Sequence, residues 1–189
     1  MVRIPWLKAD VETAAKRLLG CELWATLPGG VVRLRIVETE AYHQTDAASH
    51  SYKGKTPRTE VMFGPAGHVY VYFSYGMHYC MNIVTGESGE GSAVLIRAAE
   101  PLGGIGLLRA NRPGIADPQL INGPAKLCKA LGVDKTWNGH DLSKPPFKLI
   151  ERPALKPDQV VQTTRIGISQ AKDVPWRFYI KNSPFISKA

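Results

Sequence analysis

The spacing of short extended stretches constrains this chain most. Seven runs rich in β-branched and aromatic residues are bounded by turn residues: Val31–Tyr42, Val69–Phe73, Tyr79–Val84, Val94–Ala98, Phe147–Glu151, Thr164–Ile168 and Arg177–Ile180. Helical periodicity is rarer. Asp10 as N-cap, an apolar face of Val11, Ala14, Ala15, Leu18 and Leu19, and a stop at Gly20 predict one helix. A second begins near Asn122, with Pro124 in its first turn, Leu127, Cys128, Ala130 and Leu131 as its apolar stripe and Gly132 at its end. Pro101 to Arg109 offers a further short helix. Helices this few cannot alternate with the strands, which argues against a doubly wound parallel sheet. The expected fold is mixed α+β: a single domain over residues 1–189, with a curved, mainly antiparallel, open-barrel-like sheet, peripheral helices and a protruding β-hairpin across Ser74–His78.

Hydrophobic residues make up 44% and charged residues 21%, so the chain has a core to bury and wholesale disorder is excluded. No apolar run approaches the roughly 18 residues that span a bilayer, and the opening MVRIPWLKAD lacks the apolar stretch of a signal peptide. Three scattered cysteines make neither a disulfide framework nor a paired-thiol zinc site, so a cytoplasmic setting is expected, with no membrane association. The net charge of +8 favours a polyanionic partner, nucleic acid first. Residues 131–189 alone contribute +5 of it.

Three places could carry chemistry. Strand alternation puts Leu34, Ile36, Glu38, Glu40 and Tyr42 on one face and Arg33, Arg35, Val37, Thr39 and Ala41 on the other. Either the strand runs out into solvent with its glutamates exposed, or two carboxylates enter a buried site where they require partners. Residues 68–83, HVYVYFSYGMHYCMNI, concentrate the aromatic side chains. Tyr70 suits the core, whereas Tyr75 at the turn tip suits insertion into a base stack. Arg97 ends an apolar strand; buried, it must meet an acid such as Glu38 or Glu40, or an anion. The five histidines show no metal-binding spacing, so no metal is expected, and Cys80 two residues after His78 suits a structural thiol better than a nucleophile.

Eight blocks together resemble the alkyladenine (3-methyladenine) DNA glycosylase family: ETEAY (Glu38–Tyr42), ASHS (Ala48–Ser51), TPR followed by MF (Thr56–Arg58, Met62–Phe63), VYVYFSYGMHYCMNI (Val69–Ile83), LIRAAEP (Leu95–Pro101), NGPAKLCKALG (Asn122–Gly132), RIGI (Arg165–Ile168) and RFYIKNSPF (Arg177–Phe185). They occur in the family's order over nearly the whole chain. The resemblance is to a bacterial-type member consisting of the catalytic domain.

The resemblance implies a monofunctional base-excision repair enzyme, acting without a cofactor as a monomer on double-stranded DNA. It would flip out alkylated or deaminated purines such as 3-methyladenine, 7-methylguanine, hypoxanthine and ethenoadenine, and hydrolyse their N-glycosidic bonds. By motif, Glu40 is similar to the family's general base and Arg97 to a residue that helps hold the attacking water, with the main-chain carbonyl of Ile166. Tyr42, His50 and Tyr72 match the aromatic base pocket, completed by Ala48, Cys80, Leu95 and Ile166. Asn82 matches the residue that clashes with the 2-amino group of guanine. Tyr75, with Met77 beside it, matches the wedge that fills the vacated stack. His78, Glu60 and Ile166 depart from the family's commoner residues, and the loop from Tyr42 to His50 is one residue shorter.

Overall fold

In the computed structural model, which describes residues 4–74 and 76–187, the extended runs pair into one sheet of eight antiparallel strands that does not close into a barrel. The strands are β1 (Glu22–Leu27), β2 (Gly30–His43), β3 (Val69–Ser74), β4 (His78–Val84), β5 (Ser92–Gly103), β6 (Phe147–Ile150), β7 (Val160–Thr163) and β8 (Arg177–Ile180). The main order is β3-β4-β5-β2-β1-β6, and β7 pairs with β8, which pairs with β2. Four α-helices lie outside the sheet among the described residues: α1 (Val11–Leu18), α2 (Ile105–Asn111), α3 (Asp117–Leu120) and α4 (Pro124–Leu131). The expected mixed α+β class with an open antiparallel sheet holds.

The central strand β2 organises the molecule. One of its edges pairs with β5 along its length; the other pairs with β1 up to Arg35 and with β8 from Glu38 to Glu40. The ladder with β5 breaks at the changeover. Ile36 faces Ala99 and Glu38 faces Ala98, leaving Val37 as an extra residue; Thr39 then faces Ile96, leaving Arg97 extra on β5. Such bulges re-aim side chains. Before them Leu34 and Ile36 enter the apolar core; after them Ala41 does, and the Thr39 hydroxyl donates to the Ala15 carbonyl of α1 at 3.0 Å. The uninterrupted alternation expected from the sequence, with Leu34, Ile36, Glu38 and Glu40 on one face, is therefore wrong. The core face changes parity, and Glu38 and Glu40 turn to the opposite side.

Other expectations shift for local reasons. Asp10 caps α1, accepting from the Thr13 N–H at 2.9 Å, and the helix ends at Leu18 before Gly20. The helix foreseen over Pro101–Arg109 is the end of β5 followed by α2. Gly104 joins them at φ +75°, where a Cβ would lie 2.4 Å from the Val31 carbonyl oxygen, so only glycine makes this junction. The second helix starts at Pro124, because Gly123 before it is extended and serves as its N-cap; Asn122 stays outside the helix and accepts from Lys126 Nζ at 2.8 Å. Strand β1, whose polar and apolar residues alternate poorly, escapes the sequence reading. Thr164–Ile168 is not a strand: β7 stops at Thr163 and Arg165 is drawn inward instead. Ser74 pairs with His78, so the chain does double back there; Tyr75, expected to intercalate, lies outside the described residues.

Candidate active site

Behind the two bulges the sheet opens into a cleft of about 400 Å³, a size typical of small-molecule pockets. Glu40 from β2, Leu95 and Arg97 from β5, Tyr70 and Tyr72 from β3, and Cys80 and Asn82 from β4 line it. Two irregular segments close the sides, one through Ala48 and His50, the other through Ile166–Gln170.

Glu40 is inaccessible to solvent as a whole residue (0% exposed), yet its carboxylate forms part of the cleft wall. Its Oε1 accepts from the Ile166 backbone N–H at 2.8 Å, and its Oε2 accepts from the Tyr42 hydroxyl at 2.8 Å. Arg97 Nη1 stands 3.2 Å from the same Oε2. All three partners are donors, which suits an ionised, acceptor-only carboxylate. Burial opposes the charge of Arg97, but Glu40 and Glu38 outweigh it and hold its pKa above the ordinary arginine value. Burial, reinforced by the Glu40 charge, pushes the Tyr42 phenol far up, so it remains an O–H donor.

Aromatic rings make much of the remaining wall. His50 and Tyr72 meet edge to face with centroids 4.5 Å apart, and His50 Nδ1 shares a hydrogen bond of 3.1 Å with the Tyr70 hydroxyl. A short 3-10 turn positions His50. Ser49 caps it, and Ser51 donates to the Gly91 carbonyl at 2.8 Å. A Cβ at Gly91 would sit 2.6 Å from Ser51 and Phe63, so a side chain there would push this turn away. Desolvation of the ring against the cleft wall, aided by the Arg58 charge, lowers the His50 pKa to about 4, so the imidazole is neutral at pH 7. The Asn82 amide donates to the Tyr70 carbonyl at 3.1 Å. Burial raises the Cys80 pKa, keeping it a thiol, as suits its reading as an unreactive sulfur.

The structure thus gathers Glu40, Arg97, Tyr42, Ala48, His50, Tyr72, Cys80, Asn82, Leu95 and Ile166 around one cleft. Met77 stands apart on the hairpin, 70% exposed. Sequence reasoning left open whether Arg97 meets Glu38 or Glu40, and it contacts both, at 3.3 and 3.2 Å. It missed Arg165, which binds Asp46 through both terminal nitrogens, donates to the Ala41 carbonyl at 2.9 Å and lies 4.8 Å over the Tyr42 ring. It also missed the Ile166 N–H, and Arg177 and Ser187 around Glu38. Arg165 and Arg177 open two of the eight sequence blocks, but an isolated Arg or Ser in a loop or short strand carries no periodic signal that would name its partner, and Ser187 lies outside those blocks. Among the described residues no group of three or more His, Cys, Asp or Glu is placed to hold a metal ion, and no helix is long and apolar enough to cross a membrane.

A family model described as methylpurine-DNA glycosylase (MPG) matches residues 5–184. The chain is 52% identical over 181 residues to a protein of Carboxydothermus hydrogenoformans, covering 95% of this chain and 94% of that one. It is 49% identical over 187 residues to one of Methanoculleus marisnigri and 46% identical over 185 residues to one of Francisella tularensis subsp. tularensis. Those alignments cover 95% and 94%, and 96% and 96%, of the respective pairs. All three relatives bear the provisional name 3-methyladenine DNA glycosylase. With the match running through β2, the hairpin, β5 and β8 alike, the chain belongs to the methylpurine-DNA glycosylase family, hydrolases of N-glycosyl bonds in DNA.

Proposed function

We propose that residues 1–189 act as one catalytic domain and as a monomer in the cytoplasm. The chain would excise 3-methyladenine, 7-methylguanine, hypoxanthine and ethenoadenine from double-stranded DNA by flipping the damaged nucleotide into the cleft and leaving an abasic site. The observation that carries the reading is the hydrogen-bonded state of Glu40. A carboxylate has about four lone-pair directions. Ile166, Tyr42 and Arg97 take three of them. The remaining one, on Oε1, is left for a water in the cleft. That water attacks C1′ as the C1′–N bond breaks, Glu40 takes its proton, and the bonding pair leaves with the purine, which neutralises a cationic alkylated base. The fixed negative charge of Glu40 also stabilises the positive charge that develops on the sugar.

The walls suit the substrates. A base inside a duplex cannot reach this carboxylate, so extrusion is required, with Tyr75 of the hairpin filling the gap. Stacking of a cationic purine on Tyr42, His50 and Tyr72 is worth about 0.5–2 kcal/mol per contact, and the neutral state of His50 avoids repelling it. Asn82 excludes the 2-amino group of undamaged guanine. Among the described residues no lysine lines the cleft, which supports a monofunctional enzyme without the amine that strand-nicking lyases need. The net charge of +8 provides sequence-independent phosphate contacts.

The test is base release from duplex oligonucleotides carrying each lesion, with and without alkali, for wild type and Glu40→Gln. Strand cleavage by the wild type only after alkali, and none by the variant, is expected. Cleavage without alkali would overturn the monofunctional reading, and full activity in the variant would remove Glu40 as the base.

A further inference from the structure

Two residues before the proposed base lies a second carboxylate, Glu38, buried in the same strand but outside the cleft lining. Its Oε1 accepts from Arg177 Nε at 2.6 Å, the Ser187 hydroxyl at 2.8 Å and Arg97 Nε at 3.3 Å. Its Oε2 accepts from the Ser187 backbone N–H at 2.6 Å. Arg97 therefore spans both acids. Its Nε side faces Glu38 and Ser187, while its Nη1 faces Glu40. Arg177 comes from β8, in register with Glu40, and also reaches the Ser187 carbonyl at 3.4 Å.

Charge balance gives these contacts a function. Two buried carboxylates and two buried guanidiniums cancel. Without Arg177, one arginine would serve two acids, and a guanidinium offered a free carboxylate forms the bidentate pair. Arg97 would then turn toward Glu38 and away from Glu40. We infer that Arg177 and Ser187 are positioning residues: by saturating Glu38 they leave Arg97 free to face Glu40 and so keep Glu40 charged and oriented for water activation. The inference rests on the reading of Glu40 as the general base. The other groups facing Glu40 are Tyr42, Tyr72 and Cys80, all neutral at working pH; the Arg165–Asp46 pair lies behind Tyr42.

The experiment is the pH profile of single-turnover base excision, with lesion affinity measured separately. Arg177→Gln leaves a net negative cluster, which favours protonated Glu40. The acid limb should move to higher pH by about one unit, with the rate falling and lesion affinity little changed. Arg177→Lys should return the limb toward its original position while leaving the rate depressed. Ser187→Ala, a milder change that keeps the folded protein available if Arg177→Gln does not fold, should lower the rate roughly fivefold and shift the limb in the same direction. A uniform rate loss with an unmoved acid limb in the folded variants would overturn the inference. Glu40→Gln is run alongside: if it stays active, the reading of Glu40 fails; if it is dead while the limb stays put, only the roles of Arg177 and Ser187 fail.

Discussion

The two halves of β2 solve different problems with one strand. In Val32–Ile36 the sheet has a dry face and a wet face: Val32, Leu34 and Ile36 are fully buried, while Arg33 and Arg35 are exposed. In Glu38–Ala41 every residue is buried, so both faces are covered. Thr39 and Ala41 pack toward α1 and the core, and Glu38 and Glu40 point to the other side, where each meets dedicated donors. Alternation alone builds the first half. The second half needs β8, the segment from Arg165 and Ser187 to supply partners, because a buried charge left alone costs several kcal/mol.

The comparison would break if the halves shared their roles, and Glu40→Gln applies the largest perturbation. It removes the proposed base while keeping size and most hydrogen bonds. A rate loss of about 10²–10⁴-fold is expected, with lesion binding retained by gel shift and a lowered melting temperature, because Arg97 and Arg177 are left with Glu38 as their one shared carboxylate. Leu34→Ala does the reverse. It empties a fully buried site in the first half, which costs about 2–5 kcal/mol of unfolding free energy in denaturant titration. The excision rate of the folded variant should match wild type; a rate loss comparable to that of Glu40→Gln would show that the bulge does not separate the halves.

Thr39→Val probes the core side of the second half. It deletes the buried hydroxyl that donates to the Ala15 carbonyl at 3.0 Å and keeps the shape. A loss of about 0.5–1.5 kcal/mol is expected, with catalysis unchanged because Thr39 points away from the cleft. A slowed reaction at full stability would mean that α1 tunes the position of Glu40 through the strand.

How much of this was legible in the sequence follows from the same contrast. Asp10 and the Val11–Leu18 face and the β3–β4 hairpin are local patterns, and they could be read; for Arg97 the strand pattern favoured exposure at its end, and the buried contacts with Glu38 and Glu40 come from β2, 59 positions away in the case of Glu38. The bulges could not. The extra residue at Val37 exists only relative to β5, and the compensating one is Arg97, so neither strand reveals it alone. The ties that complete the site are just as non-local. Ser187 lies 149 positions from Glu38, and Arg165 lies 119 from Asp46. Thr164–Ile168 resembles a strand by composition, but Arg165 lies in the interior against Asp46 and the Ala41 carbonyl, partners more than 100 positions away that no local pattern shows.

The smallest expected effect concerns His50, which faces the second half across the cleft. In the unfolded chain its imidazole has a pKa near 6.5; in the folded protein it falls to about 4. Between these values the unfolded state binds the proton and the folded state does not. The contribution of His50 to stability is therefore complete above 6.5, declines as pH falls through that window and levels off below about 4. The ring is partly open to solvent, so the change in stability is small. The consequence for recognition is sharper, because a neutral ring can stack on a cationic purine, whereas a protonated one repels it. Imidazole carbon shifts followed by NMR should stay at their neutral values down to near pH 4, and affinity for 7-methylguanine duplexes should show no step near pH 6.5. His50→Phe keeps a stacking surface without the titration, so any acid-dependent step common to both proteins belongs to another group. A step near pH 6.5 in the wild type that disappears in His50→Phe would mean that His50 is not held neutral, and the cleft would then lack the uncharged wall that a cationic base requires.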